Sequence, residues 1–326
     1  MSDAETTENS QVTTKRPICG FWRRIFAFSI DGFILGVLGM ILSIPFSRLF
    51  ILMGGMGPLV GYVVCCCYYG IFSSNIGNGQ TIGSRLFGIC VVGKDGNLIG
   101  VKRAFVRAAI MSVIVFNGVP LEVPQVLGSA VSGLLMAVYM GLIYFYLFNR
   151  KTRQSLHDLV CGTFVYKVKD VNVPTNLKIA SVHYKVYGVL LLLLCCGVAY
   201  ISVFISHTPL YSVYKKELTQ VYGVDGVYAA SVGFNESQVY HLKNGVANGP
   251  VVKLATATVY VNKMSSYEAT TDKIVRIMIN DYPDIQEVKF IDVNVCYGYN
   301  IGIARSYTIK RFYGTTQQWR EKLKTK

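Results

Sequence analysis

Apolar segments of nearly membrane-spanning length constrain this chain more than any other feature. Four of them run from Ile25 to Phe46, Met56 to Ser73, Val126 to Phe148 and Val186 to Ser206. About 20 apolar helical residues cross the hydrocarbon core of a bilayer. In this chain 52% of the residues are hydrophobic and only 15% are charged, whereas soluble domains carry about 25% charged residues. We therefore predict a multi-pass membrane protein.

A fifth segment, residues 104–119, is shorter and contains Arg107, so it fits either a short span or a helix lying at the membrane interface. Charge separates the two alternatives, because Lys and Arg collect on the cytoplasmic side of membrane proteins. If the segment crosses, 16 of the 17 Lys and Arg residues in 1–206 fall on one side and only Arg48 falls on the other. This distribution predicts about five transmembrane helices, a cytoplasmic N-terminus and everything after Ser206 outside.

The net charge of +14 would suggest a nucleic-acid partner in a soluble chain. Here residues 1–206 contribute a net +9 that follows from membrane orientation, and the rest is spread along residues 207–326 without a basic run. The lipid bilayer is therefore the expected partner, and nucleic acid is not.

Residues 207–326 have the composition of a soluble region, and their patterns predict a small α+β domain. They hold one cysteine, Cys296, so no disulfide can form within them. Thr315 is expected to cap a last short helix. The predicted strands and helix are Leu254–Val261, Ser265–Asn280 as the helix, Val288–Tyr297, and Ile301–Ile309 as a hairpin partner across Gly298–Asn300.

The whole chain is thus predicted to be an all-α membrane bundle with a small cytoplasmic β element and an extracytoplasmic α+β domain. The β element would combine a strand from Leu86 to Val92, a turn and a second strand through Val101 with a further strand at Gly162–Tyr166. The predicted parts are a disordered cytoplasmic tail over 1–18, a transmembrane domain over 19–168, a linker and last helix over 169–206, and the outer domain over 207–326.

Asp31 lies inside the first apolar segment, two helical turns after Arg24. An ionisable side chain inside a span costs roughly 2.5–3.5 kcal/mol on insertion scales and is a functional-site hypothesis by default. Two interpretations stay open for Asp31. It binds something that moves through the membrane, or it pairs with a polar group on another helix and fixes the packing.

Three sequence blocks resemble the RDD family of bacterial multi-pass membrane proteins, named for one arginine and two aspartates. They are Gly20–Asp31, Gly79–Ile89 with Arg107 further on, and Ser155–Gly162. The resemblance covers about residues 18–168 and leaves the C-terminal domain unrecognised. It departs at Arg85, where the family has Lys more often. The matching site residues are Arg24, Asp31 and Asp158, and the supporting motif is Thr81, Gly83, Arg85, Gly88 and Arg107.

The resemblance implies a protein of the bacterial inner (plasma) membrane that transports a small ion or solute, with Asp31 binding a cation or proton. The C-terminal domain would then be periplasmic or extracellular. The alternative is a membrane-anchored scaffold or sensor whose outer domain binds a protein partner or ligand. The protein is not expected to be an enzyme, because no catalytic constellation stands out.

The remaining patterns concern ligands and packing. No His lies at metal-ligand spacing to a Cys or a carboxylate, so neither a metal nor a cofactor is expected. The runs Cys65–Cys67 and Cys195–Cys196 are interpreted as small apolar side chains. The glycine pairs Gly32/Gly36 and Gly57/Gly61 would allow close contact between helices or a homo-oligomer.

Overall fold

The computed structural model describes residues 18–116, 125–168, 181–238, 242–243, 246–247, 251–281 and 285–325. The predicted N-terminal tail lies outside the described residues except for Ile18, and so does the 169–180 part of the predicted linker.

Helices dominate the first two thirds of the chain, and two short strands interrupt them. The elements in chain order are α1 (Phe21–Met53), α2 (Pro58–Phe72), α3 (Ile82–Leu86), β1 (Ile89–Gly93), α4 (Val101–Ser112), α5 (Gln125–Phe148), α6 (Leu156–Cys161), β2 (Thr163–Lys167) and α7 (Ser181–Ser206).

Two of the described helical stretches, Phe21–Met56 and Ser181–Ile205, are long and apolar enough to cross a membrane. The apolar stretches Pro58–Phe72 and Gly133–Phe148 are shorter. The helical and apolar character of the region agrees with the sequence, while the count of five spans stays a prediction. At 33 residues α1 is about 50 Å long, so it extends beyond the predicted span.

The segment predicted as a short fifth span forms α4 and a 3-10 turn over Val113–Phe116. Its first turn lies beside the β1–β2 pair, where the Arg103 side chain donates to the carbonyl oxygens of Cys161 and Gly162. Its far end contacts the C-terminal domain, because Val115 packs against Gly302. The described part of the segment therefore reaches from the β1–β2 pair to the C-terminal domain.

The predicted β element forms, with two differences. The strand predicted from Leu86 begins at Ile89, because Leu86 is the last residue of α3. Strands β1 and β2 pair antiparallel, with Val91 opposite Val165. The second strand predicted to run through Val101 is wrong: in the described structure only a single bridge joins Val92 to Leu98, and α4 already begins at Val101. Gly100 has extended backbone angles and serves as the N-cap of that helix, which ends the extended chain.

The C-terminal domain is a four-stranded sheet with helices on one face. Its strand order is β3-β6-β7-β8, and β6 and β7 are parallel while the outer pairs are antiparallel. The side chains of Ala257, Val259 and Val293 are fully buried in its core. Its elements are α8 (Pro209–Tyr222), β3 (Val227–Gln238), β4 (Leu242–Lys243), β5 (Val246–Ala247), β6 (Val251–Val261), α9 (Tyr267–Asp281), β7 (Val288–Asn300), β8 (Arg305–Thr315) and α10 (Thr316–Lys324).

The α+β prediction for this region agrees with the structure in most of its elements. Strands β6 and β7 and helix α9 lie where the alternation and periodicity placed them, and Thr315 caps α10 through a capping box with Gln318. Helix α8 and strand β3 were not predicted. The hairpin turn lies at Ile301–Ala304 and not at Gly298–Asn300, because the two strands remain paired through Gly298 opposite Tyr307.

The two regions touch at the end of α1 and at the tip of the β7–β8 hairpin. The rings of Phe50 and Tyr299 lie 5.8 Å apart, and the Asn262 side chain donates to the Leu52 carbonyl oxygen at 3.3 Å. Both Gly57 and Gly61 face the hairpin backbone, while nothing lies within 4 Å of a Cβ built on Gly32. The Gly57/Gly61 pair therefore receives the hairpin, which corrects its interpretation as a contact between helices.

Candidate functional site

Asp31 is buried on α1 and holds α3 against it. Its Oδ1 accepts hydrogen bonds from the Tyr68 hydroxyl at 2.6 Å and from the Gly83 backbone N–H at 2.8 Å. Its Oδ2 accepts one from the Thr81 hydroxyl at 2.6 Å. Thr81 is also the N-cap of α3, because its side chain accepts from the Ser84 N–H at 3.1 Å. Asp31 therefore anchors the segment that enters α3.

Gly83 belongs to this anchor because of its size. A Cβ at position 83 would overlap the backbone oxygen of Ala27 on α1. Glycine thus lets α3 approach α1 closely enough for the Gly83 N–H to reach Asp31.

Asp158 is fully buried on α6 and lies between two guanidinium groups. Its carboxylate accepts from Arg107 Nε at 2.9 Å and from the Thr163 hydroxyl at 2.9 Å, and Arg24 Nη1 lies 3.4 Å away. Asp158 also completes the capping box of α6 with Ser155. One carboxylate thus joins α1, α4, α6 and β2.

Arg24 extends this network to the backbone. Its Nη1 donates to the carbonyl oxygen of Arg153 at 2.5 Å, and its Nη2 donates to that of Val165 at 3.4 Å. Arg153 has a φ of 51°, which is uncommon for a residue other than glycine. Arg24 Nε is buried and has no hydrogen-bond partner.

His157 is a member of this group that the motif did not contain. Its Nε2 lies 3.2 Å from Arg107 Nη2 and 3.6 Å from Asp158 Oδ1, and its Nδ1 has no partner. Burial lowers the pKa of His157 to about 4, although Asp158 opposes this shift. His157 is therefore neutral near pH 7.

Asp158 stays ionised in the same surroundings. Burial acts to raise its pKa. At the acid pH where Asp158 takes up a proton His157 is also protonated, and together with Arg107 and Arg24 it outweighs burial and holds the pKa of Asp158 below its usual value. A buried carboxylate keeps its charge when it is paired and hydrogen-bonded in this way.

The two carboxylate clusters line one cavity of about 260 Å³ between the helices. Arg24, Arg107, Asp31 and Asp158 all border it, so two positive and two negative charges lie around the space. Most of the remaining wall is apolar and includes Phe28, Met111 and Leu142. Ligand sites in proteins typically combine such walls with a few convergent polar groups.

The structure gives the other motif residues packing roles outside this cavity. Arg85 Nη2 lies 3.4 Å from the Gly77 carbonyl oxygen, and Gly88 has a φ of 60° in the turn before β1. Among the described residues no group of three or more His, Cys, Asp or Glu could hold a metal ion. Tyr68 and Thr163 also belong to the clusters, and both are ordinary polar residues in the sequence.

Comparison with known proteins finds one family that resembles the helical region. The model of the RDD family matches residues 18–162, so this part of the chain is similar to that family. The match contains both carboxylate clusters except Thr163 and Val165.

A relative with a similar sequence is "Uncharacterized protein YckC" of Bacillus subtilis (strain 168). It is 29% identical over 150 residues, which are 45% of this chain and 82% of that protein. No solved structure matches the chain.

Proposed function

We propose that the RDD region is a small-solute transporter of the bacterial inner membrane and that its solute occupies the cavity beside Asp31 and Asp158. The observation that carries the proposal is the cavity itself. It lies among apolar helices, yet four buried charges border it. Charged side chains in apolar helices are costly and mark substrate or ion pathways.

The charges favour a solute without net charge. Two Arg and two Asp side chains balance around the cavity, and His157 is neutral. An ion of either sign would therefore enter without a counter-charge, which is expensive in a low-dielectric space. A cation at Asp31 would also displace donors, because Oδ1 already accepts two hydrogen bonds and Oδ2 one. An uncharged or zwitterionic solute fits better than the cation that the family resemblance suggests.

The size of the cavity supports a small solute. Pockets for drug-sized ligands measure about 300–1,000 Å³, and this cavity is smaller at about 260 Å³. Amino acids and monosaccharides have suitable dimensions.

The test is uptake into sealed liposomes that contain the full-length protein. A mixture of isotope-labelled amino acids and monosaccharides is offered together with labelled Na⁺. Leu142→Trp fills the cavity, and Leu193→Trp is the matched control, because Leu193 is 63% exposed on α7. We expect uptake of at least one neutral or zwitterionic solute, lost with Leu142→Trp and kept with Leu193→Trp.

Other outcomes of the same assay exclude the proposal. Uptake of Na⁺ alone, lost with Asp31→Asn, would favour ion transport and a cation site at Asp31. If no compound enters beyond the level of protein-free liposomes, a transporter for these solutes is excluded.

A second candidate function is a membrane-anchored sensor whose C-terminal domain binds a partner or ligand. The contact between the β7–β8 hairpin and the helical region favours it, because a binding event on the domain has a physical route to the cavity. Removing residues 207–326 separates the two candidates. A folded remainder that still takes up solute favours the transporter, and complete loss favours the sensor.

A further inference from the structure

The tip of the β7–β8 hairpin, residues 300–304, lies inside the helical region. Ile301 is fully buried, and Ile303 packs against a cluster that contains Leu35 and Cys65. Leu35 follows Asp31 by four residues, about 6 Å along the helix. A Cβ built on Gly36, five residues after Asp31, would lie 3.8 Å from the Ile303 carbonyl oxygen, so the tip ends between one and two helical turns from the anchored carboxylate.

Glycines make room for the tip. A Cβ at Gly57 would overlap the backbone oxygen of Asn300, and a Cβ at Gly61 would overlap that of Ile301. A Cβ at Gly39 would lie 2.9 Å from the Cβ of Ala304. These contacts place the hairpin backbone directly against α1 and α2, which only glycine permits at such separations.

Two backbone donors of the tip have partners within the tip. The Ile301 N–H donates to the Ala304 carbonyl oxygen at 2.9 Å, and the Gly302 N–H donates to Asn300 Oδ1 at 2.8 Å. Non-helical backbone at membrane depth is tolerated only where protein buries it and its polar groups have partners. Ile301 and Gly302 meet this requirement through these two hydrogen bonds.

The cluster against which Ile303 packs is the apolar seat of the tip, and it shares Tyr69 with the cavity wall. Tyr69 and Met111 line the cavity. Tyr69 is a buried member of this cluster, and Met111 packs against the cluster as Ile303 does. The hairpin tip thus packs against the cluster that borders the cavity at its Tyr69 and Met111 end.

We infer that the tip of the β7–β8 hairpin is a plug that closes this end of the cavity, and that the C-terminal domain opens the cavity by withdrawing it. The closure concerns access of water and solute to the cavity and can be measured without a known substrate. Only its consequence for solute passage rests on the proposed function.

The experiment measures how fast a cysteine in the cavity wall reacts with a small charged methanethiosulfonate. Met111→Cys is introduced into the full-length protein in lipid nanodiscs. The reaction is read on the tryptic peptide 108–150, which contains no native cysteine. The plug is displaced by Gly57→Ala with Gly61→Ala, since alanine is favourable in helices but overlaps the hairpin at both positions.

The matched control is Gly32→Ala with Gly188→Ala, because nothing lies within 4 Å of a Cβ at either position. We expect the displaced-plug variant to react about tenfold faster or more than the control, because overpacking of this kind shifts an equilibrium by at least that factor. Ile303→Ala should also raise the rate. This substitution shortens a side chain of the tip and changes no helix. If the double variant does not fold, Ile303→Ala alone tests whether the tip closes the cavity.

Equal rates in the parent, the control and the folded plug variants, whether fast or slow, would overturn the plug. So would a lower rate in the plug variants. Wild-type protein that takes up no solute would contradict the proposed function, yet this labelling comparison would still decide whether the tip closes the cavity.

Discussion

Asp158 is one buried carboxylate between two buried guanidinium groups, so its negative charge stabilises the positive charges of both. Replacing it by Asn leaves Arg24 and Arg107 without a counter-charge. Breaking a buried pair by removing one partner costs about 3–5 kcal/mol. We expect Asp158→Asn to lower the free energy of unfolding of the helical region by this amount, measured by denaturant unfolding in detergent.

Asp95→Asn is the matched control for this substitution. Asp95 is exposed in the turn after β1, where its carboxylate accepts from the Asn97 side chain. A surface substitution of this kind changes stability by about 0.5 kcal/mol or less. Equal losses from the two substitutions would show that the buried network does not support the fold.

Glu217 is a second buried carboxylate, and it has no such support. It lies on α8 with its side chain fully buried, and neither oxygen has a hydrogen-bond partner. The nearby charges are Asp281 and Lys216, which pair with each other at 2.8 Å. Burial, assisted by Asp281, raises the pKa of Glu217 from 4.5 to about 7.

This shift predicts a pH dependence for the C-terminal domain. The folded state keeps the proton of Glu217 up to about pH 7, whereas the unfolded state releases it near pH 4.5. The stabilisation is therefore fully present below pH 4.5 and is lost as the pH rises to about 7. Glu217→Gln should remove this loss, so that the variant melts at a higher temperature than wild type at pH 8.

The melting is followed by the fluorescence of Trp319, which packs in the core of the domain, in a Trp22→Phe background. Glu268→Gln is the control, because Glu268 is exposed on α9. If Glu217→Gln and Glu268→Gln melt alike at both pH 5 and pH 8, the buried proton at position 217 is absent.

At the scale of single residues, the sequence predicted the charged side chains of the site but not the polar side chains that bind them. Arg24 and Asp31 are conspicuous because charges in apolar helices are rare. Tyr68 and Thr163 are common polar residues, and nothing in the local pattern marks them. They join the site only because the fold brings Tyr68 from α2 and Thr163 from β2 to the carboxylates.

Helix α3 shows how a short element depends on one contact. It has five residues, and its start is fixed by Asp31 and by the close approach of Gly83 to α1. Gly83→Ala would overlap the Ala27 carbonyl oxygen, and overpacking of this kind costs about 1–3 kcal/mol. We expect that loss in thermal or denaturant unfolding, together with faster proteolysis between Gly77 and Leu86.

Gly197→Ala provides the comparison for Gly83→Ala, since no atom lies within 4 Å of a Cβ there on α7. It should leave stability unchanged or raise it slightly, because alanine favours the helix. A Gly83→Ala protein as stable as Gly197→Ala would mean that α3 does not need the close contact.

The β7–β8 turn marks the limit of prediction at the element scale. Gly298 and Asn300 are typical turn residues, so the sequence favoured a turn there. The observed tip contains Ile301 and Ile303, which are unusual for an exposed turn but suitable for an apolar seat. Local propensity did not reveal the turn because its surroundings come from α1 and α2, more than 200 residues earlier in the chain.

In the whole molecule, the β1–β2 pair and the body of the C-terminal domain lie at opposite ends of α1. The β1–β2 pair and the Arg24 network lie at the start of this helix, and the C-terminal domain contacts its end at Phe50 and Leu52. The basic clusters of residues 1–206 give this axis a direction, because Lys and Arg favour the cytoplasmic side. The predicted orientation therefore puts the β1–β2 pair inside and the C-terminal domain outside.

Labelling of single introduced cysteines in intact cells tests this orientation. Lys94 and Lys151 are exposed beside the β1–β2 pair and α6, and the Lys263 side chain is 73% exposed in the C-terminal domain. We expect an impermeant maleimide to label Lys263→Cys in intact cells, and Lys94→Cys and Lys151→Cys only after the cells are permeabilised. The labelling rate of each variant is corrected by subtracting the rate of the protein that keeps the lysine, because native cysteines contribute to the background.

The position of Lys151 decides the number of spans. Residues 101–116 run from Arg103 beside Cys161 to Val115 beside Gly302. Lys94 and Lys151 share a side if this segment and α5 both cross, and they lie on opposite sides if only α5 crosses. Labelling of Lys151→Cys in intact cells, with Lys94→Cys still protected, would place 104–119 at the interface and put seven basic residues of the 149–185 cluster outside. That arrangement would oppose the charge asymmetry that orients membrane proteins. Residues 104–119, which include the cavity residue Met111, would then lie at the membrane interface and not across the bilayer.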